Sequence, residues 1–276
     1  MDEFSGEIIV EAGQSSGRYW ADLWHYRGLL YFLTWRDIVV RYKQTVIGVL
    51  WALTPAVTTV LVMTLVFGKL ARLPASGVPY PVLVLVAALP WQLFSNVLSQ
   101  GGNSLISNSH LITKVYFPRL VIPFSALLVS FVDFCISSVL LLVLMLIYHV
   151  NPGWKILALP FFVVLALLTA LGAALGLAAL NVKYRDIRYV IPLMIQLGMY
   201  ISPVGFSSDI VPDRWRFFYS LNPMVGVIDG FRWALLGTGG RLYLPGFYLS
   251  LLFIVGLVWA GFSYFRKVEH TFADLI

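Results

Sequence analysis

Residues 121–148 read VIPFSALLVSFVDFCISSVLLLVLMLIY, an apolar run interrupted by one acid, Asp133. Bilayer hydrocarbon is about 30 Å thick and a helix crosses it with about 20 residues. The stretch is long enough to span, and it is too uniformly apolar to be one face of a soluble helix. Outward from it, comparable runs occupy residues 47–68, 82–100, 156–180, 187–205 and 244–265. The expected fold is therefore an all-α polytopic membrane protein with six transmembrane helices.

Composition points the same way. At 59% hydrophobic and 12% charged, the 276 residues carry too little polar surface to cover a water-soluble globule. No Gly/Ser-rich or Pro-rich linker divides the chain, so residues 1–276 read as one transmembrane domain. The single cysteine, Cys135, lies in an apolar run and offers neither a disulfide nor a CxxC metal site. The first 46 residues contain acids and bases but no apolar core with a small-residue cleavage site, which predicts a retained N-terminus.

Six crossings place both termini on one side. Arg27, Arg36, Arg41 and Lys43 precede the first run, Lys114 and Arg119 separate the second from the third, Lys183, Arg185 and Arg188 separate the fourth from the fifth, and Arg266 and Lys267 follow the last. All fall on that side, so it is read as cytoplasmic. Lys69, Arg72 and Lys155, with Arg214, Arg216, Arg232 and Arg241, lie on the other and weaken the asymmetry.

Within residues 20–46, Trp20, Trp24, Tyr31, Trp35, Ile38, Val39, Tyr42 and Val46 recur at helical spacing, with Arg36, Asp37, Lys43 and Gln44 on the opposite side. An interfacial amphipathic helix fits this pattern. It serves either as a membrane anchor or, through Arg36, Arg41 and Lys43, as a cationic entrance for an anionic headgroup such as a pyrophosphate. Pro55 removes a backbone donor inside the first run, predicting a bend that is either structural or part of a moving wall; Pro90 and Pro160 invite the same two readings. Asp133 is an intramembrane carboxylate that must face protein or water, bonded to Ser130, Ser137 or a neighbouring helix, or acting in transport.

Between the second and third runs, residues 107–119 mix Tyr116 and Phe117 with Lys114 and Arg119. This is an ordinary basic loop or a short helix that docks on a soluble partner. Residues 206–244 contain apolar pieces shorter than a crossing, with Asn222-Pro223 as a helix start and Gly237 to Gly240 as a stop. Two short re-entrant or interfacial helices fit better than a seventh crossing. Asp229 and Arg232, three residues apart, can pair on one helix face. The region is a hairpin resting on the outer bilayer surface or a gate at the outer mouth.

In order along the chain, six segments resemble the membrane subunit of ABC-2 type polysaccharide exporters. They are Trp35-Arg36-Asp37 with Arg41-Tyr42-Lys43, Gly48 to Pro55, Lys114 to Arg119, Tyr184-Arg185-Asp186-Ile187, Tyr200 to Val204, and Asn222-Pro223 through Arg232. The resemblance spans nearly everything from Arg36 onward and implies a homodimer in a bacterial cytoplasmic (inner) membrane, with two copies of a separate nucleotide-binding ATPase. Lys114, Tyr116, Phe117 and Arg119, with Arg185 and Asp186, would then face the ATPase, and the segment around Asn222, Pro223, Asp229 and Arg232 would form a periplasmic gate. The implied substrate is a glycan, most like O-antigen, on undecaprenyl pyrophosphate. Membrane lipids complete the expected partners, and no nucleic acid is among them.

No GxxxxGK[ST] loop occurs, so ATP and Mg are expected on the partner and no cofactor on this chain. A membrane-embedded transferase would need clustered acids or a His/Asp constellation, but His25, His110, His149 and His270 are scattered. No catalytic or metal residue is assigned. An ion-coupled carrier would show inverted repeats with paired intramembrane acids, and none is evident. Capsular polysaccharide, teichoic acid, a lipid or a drug remain alternative cargoes. Trp154 and Trp259 read as interfacial belt residues.

Overall fold

A computed structural model describes residues 22–43, 49–74, 77–236 and 242–272. Trp20, Gln44, Val46, Gly48, Gly237 to Gly240 and Arg241 lie outside the described residues, which contain helices and no strand.

Helix α1 (Arg27–Lys43) is followed by α2 (Val49–Met63), which continues as π-helical turns over Thr64–Leu70. Then come α3 (Tyr80–Ser107), the short α4 (Ser109–Lys114) and α5 (Val121–Ile147). A 3-10 turn (Trp154–Ala158) leads into α6 (Leu159–Lys183), and α7 (Ile187–Ile201) follows. A 3-10 turn (Ser208–Ile210), α8 (Asp213–Tyr219) and α9 (Pro223–Leu235) precede α10 (Leu244–Val268), which ends in a 3-10 turn over Glu269–Thr271.

Five helices are long and apolar enough to cross a membrane: Leu50–Leu70, Tyr80–Ser107, Val121–Ile147, Trp154–Lys183 and Leu244–Thr271. The fifth expected run, residues 187–205, is helical only over Ile187–Ile201, because Ser202-Pro203 turns the chain out of the helix. At 1.5 Å per residue those 15 residues reach about 22 Å, short of the hydrocarbon thickness. Pro55, Pro90 and Pro192 all lie inside continuous helices. Beside Pro55, the Thr54 hydroxyl donates to the Leu50 carbonyl at 3.0 Å.

Helix α3 forms the centre of the bundle: Val82 to Trp91 are all buried, against neighbours that include α5, α6, α2, α9 and α7. Its central position sets these side chains against protein rather than lipid. Between membrane helices, close approach depends on small residues. Gly172, in the sequence Gly172-Ala173-Ala174-Leu175-Gly176, meets Gly261 of α10 so closely that a Cβ on Gly261 would lie 2.0 Å from the Gly172 carbonyl oxygen. Gly102 is in similar contact with Ile191, and Gly198 with Trp91, so α7 runs antiparallel along α3.

The loops gather at two ends. At one, Arg36 bonds Asn108, Asn181 bonds Gly102 and Asn103, and Arg119 bonds Glu269. At the other, the Tyr80 hydroxyl donates to the Gly205 carbonyl at 2.6 Å, Lys155 lies over the Trp233 ring, and Ser250 donates to the Ser220 carbonyl.

Candidate functional site

The amphipathic helix α1 lies against α5 rather than on lipid alone, with Leu33 buried at the contact. One turn from its C-terminus, Arg41 forms an ion pair with Asp133 at 2.7 Å, and the Tyr42 hydroxyl donates to the same carboxylate. Burial and this bond raise the Tyr42 pKa well above its ordinary value, so the phenol stays a donor at any physiological pH. The partners of Asp133 are therefore on α1. Ser130 instead donates to the Ala126 carbonyl within its own helix.

An intramembrane carboxylate is costly unless paired, and the pair explains why α1 is held at this height on the bundle. Arg41, Gln92, Asn96, Asp133 and Ser137, with Trp51 and Pro55, line a cavity of about 60 Å³ beside the pair. Arg36 is also engaged, with Asp37 at 2.8 Å and with Asn108 at 3.2 Å. Of the three cations expected to receive a headgroup, Lys43 is exposed at the helix end, while Arg36 and Arg41 already carry acidic partners.

At this same end, the loop after α4 divides into an outward and an inward face. Lys114, Val115 and Tyr116 are exposed, Tyr116 by 61%, whereas Phe117 is 4% exposed and packs in the core. Arg119 also turns inward. Its backbone N–H donates to the Glu269 carboxylate at 3.0 Å, its guanidinium donates to the Glu269 carbonyl, and it sits 6.0 Å from the Phe272 ring. Alternation in an extended loop explains the division, since neighbouring side chains at Tyr116 and Phe117 point apart. Arg185 and Asp186, with Lys183 and Tyr184, are exposed in the loop between α6 and α7. Asn181 holds that loop near Asn103, so the two exposed basic loops share one end of the bundle.

At the opposite end, Asn222 and Pro223 start α9 where the sequence predicts a helix start. The Asn222 side chain accepts from the Met224 N–H at 3.0 Å and donates to the Ser202 hydroxyl at 2.9 Å. Both residues expected to pair on this helix, Asp229 and Arg232, are almost fully buried, at 7% and 3% exposure. No ion-pair contact joins them. Arg232 donates to the Val204 carbonyl at 3.4 Å and leaves Nε and Nη1 without hydrogen-bond partners among the described residues, and Asp229 sits between Arg232 and the Ser208 side chain. The two side chains act on each other through their charges without a direct contact. Ion pairs at this end are made by Arg216, with Asp209 and with Asp213 at 3.6 Å.

Ser208, Tyr80, Glu269 and Phe272 were not legible as site residues. Tyr80 follows Pro79 at the start of α3 and resembles any interfacial tyrosine, and Glu269 carries no local pattern linking it to Arg119. Among the described residues no His, Cys, Asp and Glu group is placed to hold a metal ion.

The family model described as ABC-2 type transporter matches residues 28–236. The O-antigen export system permease protein RfbA of Myxococcus xanthus is 30% identical over 258 residues, covering 92% of this chain and 98% of that protein. A protein of the same name from Klebsiella pneumoniae is 27% identical over 251 residues, covering 90% and 95%. The polysialic acid transport protein KpsM of Escherichia coli is 23% identical over 225 residues, covering 79% and 87%. A central helix walled by membrane-length helices, with exposed basic loops at one end and short packed helices at the other, accompanies a match over most of the chain, and the chain belongs to the ABC-2 type transporter family.

Proposed function

We propose that this chain is the transmembrane subunit of an ATP-driven exporter that moves undecaprenyl-pyrophosphate-linked polysaccharide, O-antigen in the first instance, from cytoplasm to periplasm. Like its relatives it is a transport subunit and not an enzyme. It works as a homodimer with two copies of a nucleotide-binding ATPase, in a bacterial inner membrane, with six crossings and both termini cytoplasmic.

The observation that carries the reading is the gathering of Lys114 to Tyr116 and Lys183 to Asp186, exposed and basic, at one end of a bundle whose other end is covered by α8 and α9. An ATPase that pushes on a permease needs a protruding polar surface of this kind, and a cargo path needs a cover that can part. Six crossings gain support from the course of residues 187–205: Ile191 meets Gly102, Gly198 meets Trp91 and Gly205 bonds Tyr80. The segment thus follows α3 from residue 102 to residue 80, about 33 Å at 1.5 Å per residue. Short α8 and α9, tied by Asn222 to Ser202 and by Ser250 to Ser220, suit a re-entrant gate, because irregular backbone at membrane depth is tolerated only against protein or water. In the entrance role, Lys43 supplies a cation with no acidic partner among the described residues, and Arg36 and Arg41 would have to exchange their acidic partners for a pyrophosphate.

The test is complementation. Cells that lack their own O-antigen permease receive this chain with its ATPase, and surface glycan is measured. Restored glycan supports the reading; intracellular accumulation despite assembled complex refutes it. Restoration only in a strain deficient in capsular export would select that alternative cargo, which the resemblance to the polysialic acid transport protein favours over a lipid or a drug.

A further inference from the structure

The 3-10 turn that ends α10, Glu269–Thr271, is bonded to the start of the third span. Arg119, just before α5, gives its backbone N–H to the Glu269 carboxylate at 3.0 Å, and its guanidinium to the Glu269 carbonyl. A carboxylate in that position also faces the positive end of the α5 dipole. Beneath it Phe272 is fully buried, packed edge-on against Phe265 at 5.3 Å between ring centroids, with Arg119 over its other side at 6.0 Å. Only two residues, Phe117 and Pro118, separate Arg119 from the exposed Tyr116, and Phe117 is anchored in the core. A displacement of the exposed loop therefore reaches Glu269 and Phe272 through a short, rigid connection.

From there the route outward is helix α10. Its glycine contact with α6 at Gly172 and Gly261 leaves no slack, since backbones already touch there. At its far end Ser250 donates to the Ser220 carbonyl and packs on Gly226 of α9, where a Cβ would come within 2.6 Å of the Ser250 Cβ. One continuous helix thus joins the loop at one end of the bundle to the short helices at the other.

We infer that the Glu269–Phe272 turn is a mechanical link that passes movement of the Lys114–Tyr116 loop into α10 and so to α9. This rests on the reading of that loop as the surface that meets an ATPase. Arg119 is accordingly a positioning residue rather than a contact of the ATPase. The chemistry is an ordinary helix-end clasp, a carboxylate and an aromatic plug, and transmission requires only that α10 move with the loop as one body.

The experiment uses the full permease–ATPase complex in lipid nanodiscs with Cys135→Ser as background. Spin labels at exposed Thr113 and exposed Val255 are each measured against a label at exposed Val139 of α5, nucleotide-free and after trapping with ATP and vanadate. Both distances are expected to shift on trapping in the parent. In Phe272→Ala the Thr113 shift persists and the Val255 shift falls by at least half; Phe272→Leu, which keeps the apolar volume, restores it. Should Phe272→Ala fail to assemble, Glu269→Ala reads the same loss with the apolar plug intact. An undiminished Val255 shift in the variant that assembles, or no Val255 shift in the parent while Thr113 moves, overturns the link. Absence of a shift at both labels in the parent overturns the underlying ATPase-facing reading instead.

Discussion

Replacing Gly261 by alanine should do more damage than any other single added methyl on α10. The new Cβ would sit 2.0 Å from the Gly172 carbonyl oxygen, 2.9 Å from its carbon and 3.3 Å from its Cα. A carbon and an oxygen rest at about 3.3 Å, so α10 and α6 must part by about 1.3 Å. A gap of 0.5 to 1 Å already forfeits a quarter to a half of the dispersion well for each contact across it. Relief by side-chain rotation is impossible because the obstacle is backbone. We expect a loss of about 2 to 3 kcal/mol, at the upper end of the overpacking range. The assay is reversible unfolding in mixed micelles followed by far-ultraviolet circular dichroism. Gly256 supplies the control, since a Cβ there meets nothing within 4 Å on the same helix. Gly256→Ala should change stability by less than about 1 kcal/mol, with the helix propensity of alanine in its favour. Equal stability of the two variants would refute the claim that the glycine contact sets the α6–α10 distance.

In a double-mutant cycle, Tyr42→Phe and Asp133→Asn should couple by about 1 kcal/mol, as interhelical hydrogen bonds in membranes do, and additive effects in the unfolding assay would mean the bond is not formed. Arg119→Glu should lower stability by about 1 to 3 kcal/mol, because it sets a second carboxylate against Glu269 and strips a donor. Lys114→Glu, on the exposed side of the same loop, should leave stability unchanged and reduce co-purification of the ATPase; the opposite assignment of these two losses would reverse the inward and outward faces. Lys43→Gln should lower export with normal assembly, whereas Arg41→Gln should reduce folded yield by leaving Asp133 without its ion pair, and unchanged yield would count against that pair. A cysteine at exposed Pro212, in the Cys135→Ser background, should react with a membrane-impermeant maleimide added outside intact cells; labelling only after lysis would invert the topology.

Much of the bundle is legible one segment at a time. The runs at 121–148 and 244–265 become α5 and α10 nearly residue for residue, because a lipid-facing helix satisfies its own backbone and needs no partner to be recognised. The start of α9 is legible for a similar reason, as Asn222 caps it with its own side chain. Over residues 187–205 hydropathy continues through Ser202-Pro203 while the helix ends at Ile201. The Gly172-to-Gly176 spacing was a usable sign of close helix packing, though nothing in it names Gly261 as the other half.

Hydrophobic length and charge placement act locally, and they suffice to read a membrane-embedded, all-helical chain, the extent of most of its helices and the basic character of the loops between them. Tertiary structure alone decided which polar groups those helices bring together. Tyr42 reaches Asp133 across 91 residues and Arg119 reaches Glu269 across 150. Phe117 turns in while Tyr116 turns out, and Arg232, one turn along α9 from Asp229, reaches the Val204 carbonyl. Inside a bilayer nearly every apolar face is equally content against lipid or protein. The choice among packings therefore falls to a few glycine notches and a few buried polar groups, whose partners are set by the shape of the whole bundle and not by their neighbours in the chain.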